Sequence, residues 1–175
     1  AMEEAAQGGV ETSYQLITDV EELENVIKEM RQADRFAVDT ETTSKDPMRA
    51  ELVGVSLCAE PGQAYYLPMG HVGGPTTDKE GNPTLGLGNN QPNEPDQLPP
   101  LSDPAMEELR ELLADPDASK VLHNAKYDQI VLEENGHVLE GVVFDTALAS
   151  YVLDPGRRRH GLDARVLDRF GHQMI

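Results

Sequence analysis

Two acidic residues, Asp39 and Glu41, follow directly on the apolar run 36–38. This run predicts a buried strand, and a second apolar run at 52–57 predicts a strand that pairs with it as a hairpin. Because side chains alternate along a strand, both carboxylates point the same way, roughly 7 Å apart. Carboxylates so placed repel each other unless a cation lies between them, and Mg²⁺ accepts such oxygen ligands. The pattern is short, however, and solvated acids at a strand end are its other interpretation.

A third acidic residue, Asp128, lies where a short predicted strand, 120–123, is followed at once by a helix. A carboxylate in the first turn of a helix is favoured by the helix dipole, whatever its function. Ligands also gather where the strands of an α/β sheet give way to helices. If strand 120–123 lies beside the strand that ends in Asp39 and Glu41, Asp128 reaches the same place.

The other patterns along the chain alternate between strands and helices. We predict strands at 14–17, 36–41, 52–59, 64–68, 120–123 and 142–144, and helices at about 19–32, 103–115, 124–134, 145–153 and 162–170. This order predicts an α/β fold with flanking helices. Its central sheet is mixed and includes an antiparallel hairpin that starts with the Asp39 strand.

Composition divides the chain further. Residues 1–13 are interpreted as a tag remnant and flexible leader, and 14–175 as one domain, a size that can bury a core. Within that domain the segment 71–100 is rich in Gly, Pro, Asn and Thr and predicts a long surface loop or insertion.

The totals restrict the class of protein. A single cysteine excludes an internal disulfide and is typical of a reducing cytoplasm, and no apolar run has membrane-spanning length. The net charge of −18 argues against a nucleic-acid binder that relies on Lys and Arg alone. Metal-dependent phosphodiester chemistry partly avoids that objection, because the ions supply positive charge. A basic neighbouring domain and adaptation to high salt are further explanations of the charge. The oligomeric state cannot be read from these totals.

Six blocks together resemble one known family. They are Asp-Thr-Glu-Thr (39–42), Leu-Val-Gly-Val-Ser (52–56), Tyr-Leu-Pro (66–68), Asn-x-Lys-Tyr-Asp (124–128), Phe-Asp-Thr (144–146) with Ser-Tyr-Val-Leu (150–153), and Arg-His-x-x-Asp (159–163). In this order they resemble the 3'-5' proofreading exonuclease domain of bacterial family A DNA polymerases, the DNA polymerase I (Klenow) type among the DEDD exonucleases. The resemblance covers about 14–175, apart from 71–100.

The resemblance implies an RNase H-like fold and a function in DNA replication and repair. It implies hydrolysis of the 3'-terminal phosphodiester of single-stranded or frayed DNA, with release of 5'-mononucleotides and a polymerase domain in the same parent chain. The implied catalytic residues, which also hold two divalent cations (Mg²⁺ or Mn²⁺), are Asp39, Glu41 and Asp128. The implied substrate-binding residues are Thr40, Thr42, Asn124 and Tyr127.

One family motif has no match in the sequence. The third motif, Tyr-x-x-x-Asp, supplies a fourth carboxylate and is expected in a helix beyond Ile175. The 175-residue chain is therefore expected to be truncated before that motif and inactive or impaired. Two alternatives remain: an RNA 3'-end-processing exonuclease of the same superfamily, and a non-catalytic exonuclease-like domain that supports a polymerase.

Overall fold

A mixed sheet lies at the centre of the protein. The computed structural model describes residues 12–71, 76–77, 83–84 and 96–173. Within these residues the sheet strands are β1 (Ser13–Leu16), β2 (Phe36–Thr42), β3 (Leu52–Glu60), β4 (Gln63–Pro68), β7 (Lys120–Leu122) and β8 (Val142–Asp145). A separate two-stranded ribbon consists of β5 (Thr76–Thr77) and β6 (Pro83–Thr84). The strand order of the main sheet is β1-β4-β3-β2-β7-β8.

The helices lie close to the predicted ranges. They are α1 (Val20–Gln32), a 3-10 turn (Pro104–Met106) that leads into α2 (Glu107–Ala114), α3 (Ala125–Glu134), α4 (Thr146–Leu153) and α5 (Leu162–Phe170). Among these helices, none combines the length and apolar character needed to cross a membrane. The α/β fold with flanking helices is thus confirmed.

Strand β2 is the central element because it pairs on both sides. It runs antiparallel to β3 and parallel to β7. The pairing with β7 fulfils the condition under which Asp128, on the helix that follows β7, lies beside the acids of β2. Along β2, buried and exposed residues alternate from Phe36 to Glu41, so one face belongs to the core and the other carries Asp39 and Glu41.

Helices α1 and α2 cover the core face of the sheet. Each presents a stripe of apolar side chains at helical spacing. Asp19 caps α1 by accepting hydrogen bonds from the Glu21 amide at 2.7 Å and the Glu22 amide at 3.3 Å. Full burial of one Val, Leu, Ile or Met side chain contributes roughly 1.5–3 kcal/mol to stability. The stripes consist of Leu23, Val26, Ile27 and Met30 in α1, and Leu109, Leu112 and Leu113 in α2.

One residue near the C-terminal end of the predicted loop, Leu98, packs into the core. Leu98 is only 1% exposed, and its amide donates a hydrogen bond to the Pro68 carbonyl at 2.8 Å. The apolar side chain joins the core although its neighbours are Pro and polar residues. Most of the segment 72–95 lies outside the described residues, as does the leader up to residue 11. The division into leader, domain and insertion stays a prediction.

Candidate active site

Asp39 and Glu41 lie on the solvent-facing side of β2, as the alternation of its residues requires. Asp39 is paired with Ser56 of β3 and Glu41 with Gly54. Both acids are exposed, whereas Thr40 between them is buried on the opposite face. The two carboxylates therefore stand side by side at one end of a strand whose other face is packed into the core.

Asp128 is joined to the same strand by hydrogen bonds. Its Oδ1 accepts one bond from the Thr40 backbone amide at 3.1 Å and another from the Thr40 hydroxyl at 2.7 Å. The side chain is almost completely buried, with 2% of the residue exposed. Thr40 lies between Asp39 and Glu41 in the sequence, so these bonds hold the first turn of α3 beside both acids. Thr40 is a predicted substrate-binding residue, and its hydroxyl donates to Asp128 within the protein.

The charges of Asp128 and Glu41 act on Asp39. Partial burial, the charge of Asp128 and the charge of Glu41, in that order, raise the pKa of Asp39 from 3.8 to about 7. Burial also raises the pKa of Asp128, although the hydrogen bonds from Thr40 oppose that rise. Close negative charges of this kind favour a bound proton or a bound cation.

The three side chains suit a hard cation, since each of them offers carboxylate oxygens as ligands. Among the residues described, however, no group of three or more His, Cys, Asp or Glu side chains is spaced so that it could hold a metal ion. Mg²⁺ does not require such a cage, because it commonly binds through one or two carboxylates and completes its shell with waters and substrate phosphates. The acids fit a cation that is shared with substrate.

A cleft of about 510 Å³ lies between the end of β2 and the start of α3, next in sequence to Glu41 and Asp128. The Tyr127 hydroxyl lies 2.5 Å from the Thr42 hydroxyl and donates a hydrogen bond to the Ser44 carbonyl, which links α3 to the end of β2. Three of the four predicted substrate-binding residues border this cleft, and Thr40 does not. The cleft is lined by Thr42, Thr43, Ser44, Lys45, Asn124 and Tyr127.

Asn124 occupies the N-cap position of α3, as predicted, but its side chain makes no capping hydrogen bond. Its backbone is left-handed, with φ of 69°, a conformation that Asn tolerates better than most residues. The carboxylate of Asp145 caps the helix instead, by accepting hydrogen bonds from the amides of Asn124 and Ala125. The sequence indicated Asp145 only as the start of α4.

Two further residues near Glu41 were not predicted from the sequence. The Tyr66 hydroxyl lies 2.6 Å from Nε2 of His71, and the Tyr66 ring covers Gly54, the partner of Glu41 on β3. Burial, followed by the charge of Glu41, raises the pKa of Tyr66. The absence of a side chain at Gly54 was the one signal in the sequence that a ring could lie there.

A smaller cavity, of about 200 Å³, borders Asp39. It lies over the solvent-facing side of the sheet and is lined mainly by apolar side chains. Thr146 of α4 and Leu162 of α5 contribute to its wall, together with Ala37 of β2. Helices α4 and α5 therefore border the same face as the acids.

This fold and these acids define an RNase H-like exonuclease class, and the sequence comparison agrees. The model of the 3'-5' exonuclease family matches residues 14–166, and the chain belongs to this family. DNA polymerase I of Pseudomonas aeruginosa is 35% identical over 167 residues, and the match covers 94% of this chain and 16% of that protein. DNA polymerase I of Rhizobium leguminosarum is 38% identical over 174 residues, with the same coverage of 94% and 16%. The chain thus spans about one sixth of the length of these relatives and corresponds to their 3'-5' exonuclease domain.

Solved structures share the fold at lower identity. The POL domain of Pol1 from M. smegmatis, in complex with DNA primer-template and dNTP, superposes with a TM-score of 0.66 at 24% identity, covering 93% of this chain and 23% of that chain. Escherichia coli RNase D superposes with a TM-score of 0.59 at 18% identity, covering 94% of this chain and 35% of that chain. Brucella melitensis NrnC with bound Mg²⁺ superposes with a TM-score of 0.57 at 20% identity, covering 94% of this chain and 64% of that chain. These likenesses show the mixed RNase H-like sheet.

Proposed function

We propose that this domain proofreads DNA, by hydrolysing the 3'-terminal phosphodiester of a single-stranded or frayed end and releasing 5'-mononucleotides. Asp39, Glu41 and Asp128 are the proposed catalytic residues. The proposed partners are the DNA 3' end and a polymerase domain of the same parent chain, because the relatives are DNA polymerases I. The observation that carries the proposal is the pair of hydrogen bonds by which Thr40 holds Asp128 next to Asp39 and Glu41.

The same three carboxylates would hold two divalent cations, Mg²⁺ or Mn²⁺. Burial, the charge of Asp128 and the charge of Glu41 raise the pKa of Asp39 to about 7. This supports the role, since a bound cation would offset the two neighbouring charges. When bound, such ions polarise the phosphate and lower the pKa of a water molecule. The contribution of the chain is to hold the carboxylates close together and to direct them toward the terminal phosphate.

The terminal nucleotide is proposed to bind in the cleft beside the acids. Thr42 and Asn124 offer polar groups, and the Tyr127 ring offers a flat surface. Recognition of a single-stranded end depends on stacking and backbone contacts rather than on base edges, so little sequence preference is expected. Lys45 supplies the positive charge in the wall of this cleft, within a chain of net charge −18.

A digestion experiment tests the proposal. A single-stranded DNA labelled at its 3'-terminal nucleotide is incubated with Mg²⁺ or Mn²⁺ and with the parent polymerase that contains this domain. We expect labelled mononucleotide to be released, and the Asp39→Ala variant to release at least about a thousandfold less, because the loss of a metal ligand removes several kcal/mol of transition-state stabilisation. Equal rates in the two proteins would refute the role of Asp39. Running the 175-residue chain alongside tests its predicted impairment.

The two alternative functions give different results. An RNA 3'-end-processing enzyme would digest a single-stranded RNA of matching sequence faster than the DNA. A non-catalytic domain would bind no cation, so calorimetric titration of Mn²⁺ into the wild type and the Asp39→Ala variant would give the same featureless trace. The family of the chain favours DNA.

A further inference from the structure

Asp145, at the end of β8, joins the starts of two helices. Its Oδ1 accepts hydrogen bonds from the Ala147 amide at 2.8 Å and the Leu148 amide at 3.2 Å, which caps α4. The same oxygen accepts from the Asn124 amide at 3.0 Å, and Oδ2 accepts from the Ala125 amide at 2.9 Å, which caps α3. One carboxylate thus receives four backbone N–H groups from two separate turns.

These bonds distinguish Asp145 from the three acids of the site. Burial acts to raise its pKa, but the four amide donors outweigh burial and leave the pKa below its ordinary value. Oδ1 accepts three of these bonds and Oδ2 accepts one, so most of the acceptor capacity of Asp145 is used by the protein backbone. Its negative charge is stabilised by the backbone amides that surround it.

The turn that Asp145 holds is the one that leads into the site residues of α3. Asn124 has the left-handed backbone noted above, and the Tyr127 amide donates to the Asn124 carbonyl at 2.9 Å. Asp128 follows in the same turn of the helix. A second link joins the same pair of turns, because Nδ1 of His123 lies 2.8 Å from the Thr146 hydroxyl.

We propose that Asp145 is a positioning residue: by fixing the first turn of α3 against the start of α4, it sets Asp128 beside Asp39 and Tyr127 beside Thr42. This inference rests on the proposed function, since it concerns the same site. Groups that orient metal ligands without touching the metal commonly contribute a factor of about 10 to 100 in metal affinity.

Two substitutions separate the parts of this role. Asp145→Asn can keep its carbonyl oxygen at the place of Oδ1, but the amide nitrogen that replaces Oδ2 cannot accept the Ala125 N–H. Asp145→Ala removes all four bonds. Asp19→Ala is the matched control, because Asp19 also caps a helix by accepting two amide bonds, and α1 carries none of the proposed site residues.

The readouts are Mn²⁺ affinity by calorimetry and hydrogen exchange at the Ala125 amide by NMR, with thermal unfolding measured in parallel. We expect Asp145→Ala to weaken Mn²⁺ binding about tenfold or more and Asp145→Asn to fall between it and the wild type, with faster exchange at Ala125 in both. Asp19→Ala should lower the thermal midpoint and leave Mn²⁺ affinity unchanged.

Each outcome decides the inference. If the wild type binds Mn²⁺ and Asp39→Ala does not, but both Asp145 variants bind as tightly as Asp19→Ala, the positioning role is refuted and the proposed function stands. If the wild type binds no Mn²⁺, the proposed function fails and this inference fails with it. Asp145→Asn keeps three of the four bonds. If Asp145→Ala does not fold, the Mn²⁺ affinity of Asp145→Asn tests the inference instead.

Discussion

The two sides of the sheet differ in how completely they are covered. On the side of α1 and α2, the apolar stripes of both helices are buried against β2 and its neighbours. On the side that carries the acids, α4 and α5 leave much apolar surface open, and α5 contains no buried residue. The exposed apolar side chains there are Leu148, Tyr151, Val152, Leu153, Leu162, Leu167 and Phe170.

This difference separates stability from function. The covered side supplies the hydrophobic burial that holds β2 in place. The open side carries Asp39, Glu41 and the cavity that borders Asp39, so the proposed DNA end and cations would approach from this side. Mutations on the first side are therefore expected to act on unfolding, and mutations on the second side on binding.

The largest effect on stability is expected on the covered side, from Leu112→Ala. Leu112 is 0% exposed, and its truncation leaves a cavity as well as losing hydrophobic burial. The free energy of unfolding should fall by about 2–5 kcal/mol, measured by urea denaturation. A loss below about 1 kcal/mol would mean that the α2 side packs loosely, and the contrast between the two sides would disappear.

Gly54→Ala tests the packing of β3 and β4 on the side that carries the acids. A Cβ at this position would lie 2.7 Å from Cζ of Tyr66, so the ring would have to move. Overpacking of this kind typically costs about 1–3 kcal/mol. Because Gly54 is paired with Glu41, Mn²⁺ affinity measured by calorimetry should fall as well.

The control for this prediction is the double variant Gly54→Ala with Tyr66→Phe. If the hydroxyl and the ring both clash, removing the hydroxyl restores part of the lost stability. If Gly54→Ala is as stable as the wild type, the close approach of Tyr66 to β3 is wrong.

A smaller effect is expected from the dependence of stability on pH, at Asp39 on the open side. The pKa of Asp39 rises from 3.8 to about 7 on folding, so between these values the folded protein keeps a proton that the unfolded chain releases. Stability from this group is therefore lost as pH rises across that range. Urea midpoints of the wild type and Asp39→Asn, compared between pH 4 and 8, should differ in slope. Parallel profiles would show that burial and the charges of Asp128 and Glu41 do not raise the pKa of Asp39.

The covered side could be predicted from the sequence more fully than the open side. The stripes of α1 and α2 have helical spacing, and β2 alternates, so local patterns were sufficient. Asp128 could be placed beside Asp39 only on the condition that β7 pairs with β2, and that pairing lies outside any local pattern. The role of Asp145 depends on an amide 21 residues away and on β7 lying beside β8. The position of Tyr66 over Gly54 depends on the register of β3 against β4. Site geometry arises from such long-range pairings, which periodicity does not encode.

The smallest change is expected from Val152→Ser on the open side. Val152 is 81% exposed, and Val and Ser have similar helix propensities, so neither burial nor helix formation changes much. The free energy of unfolding should stay within about 0.5 kcal/mol of the wild type in urea. The measurement is repeated at a tenfold higher protein concentration. If this apolar face pairs with another copy of the chain, the folded protein becomes more stable at the higher concentration. A loss above about 1 kcal/mol that grows with concentration would show that this face is covered in solution. The contrast between the two sides would then describe the isolated chain alone.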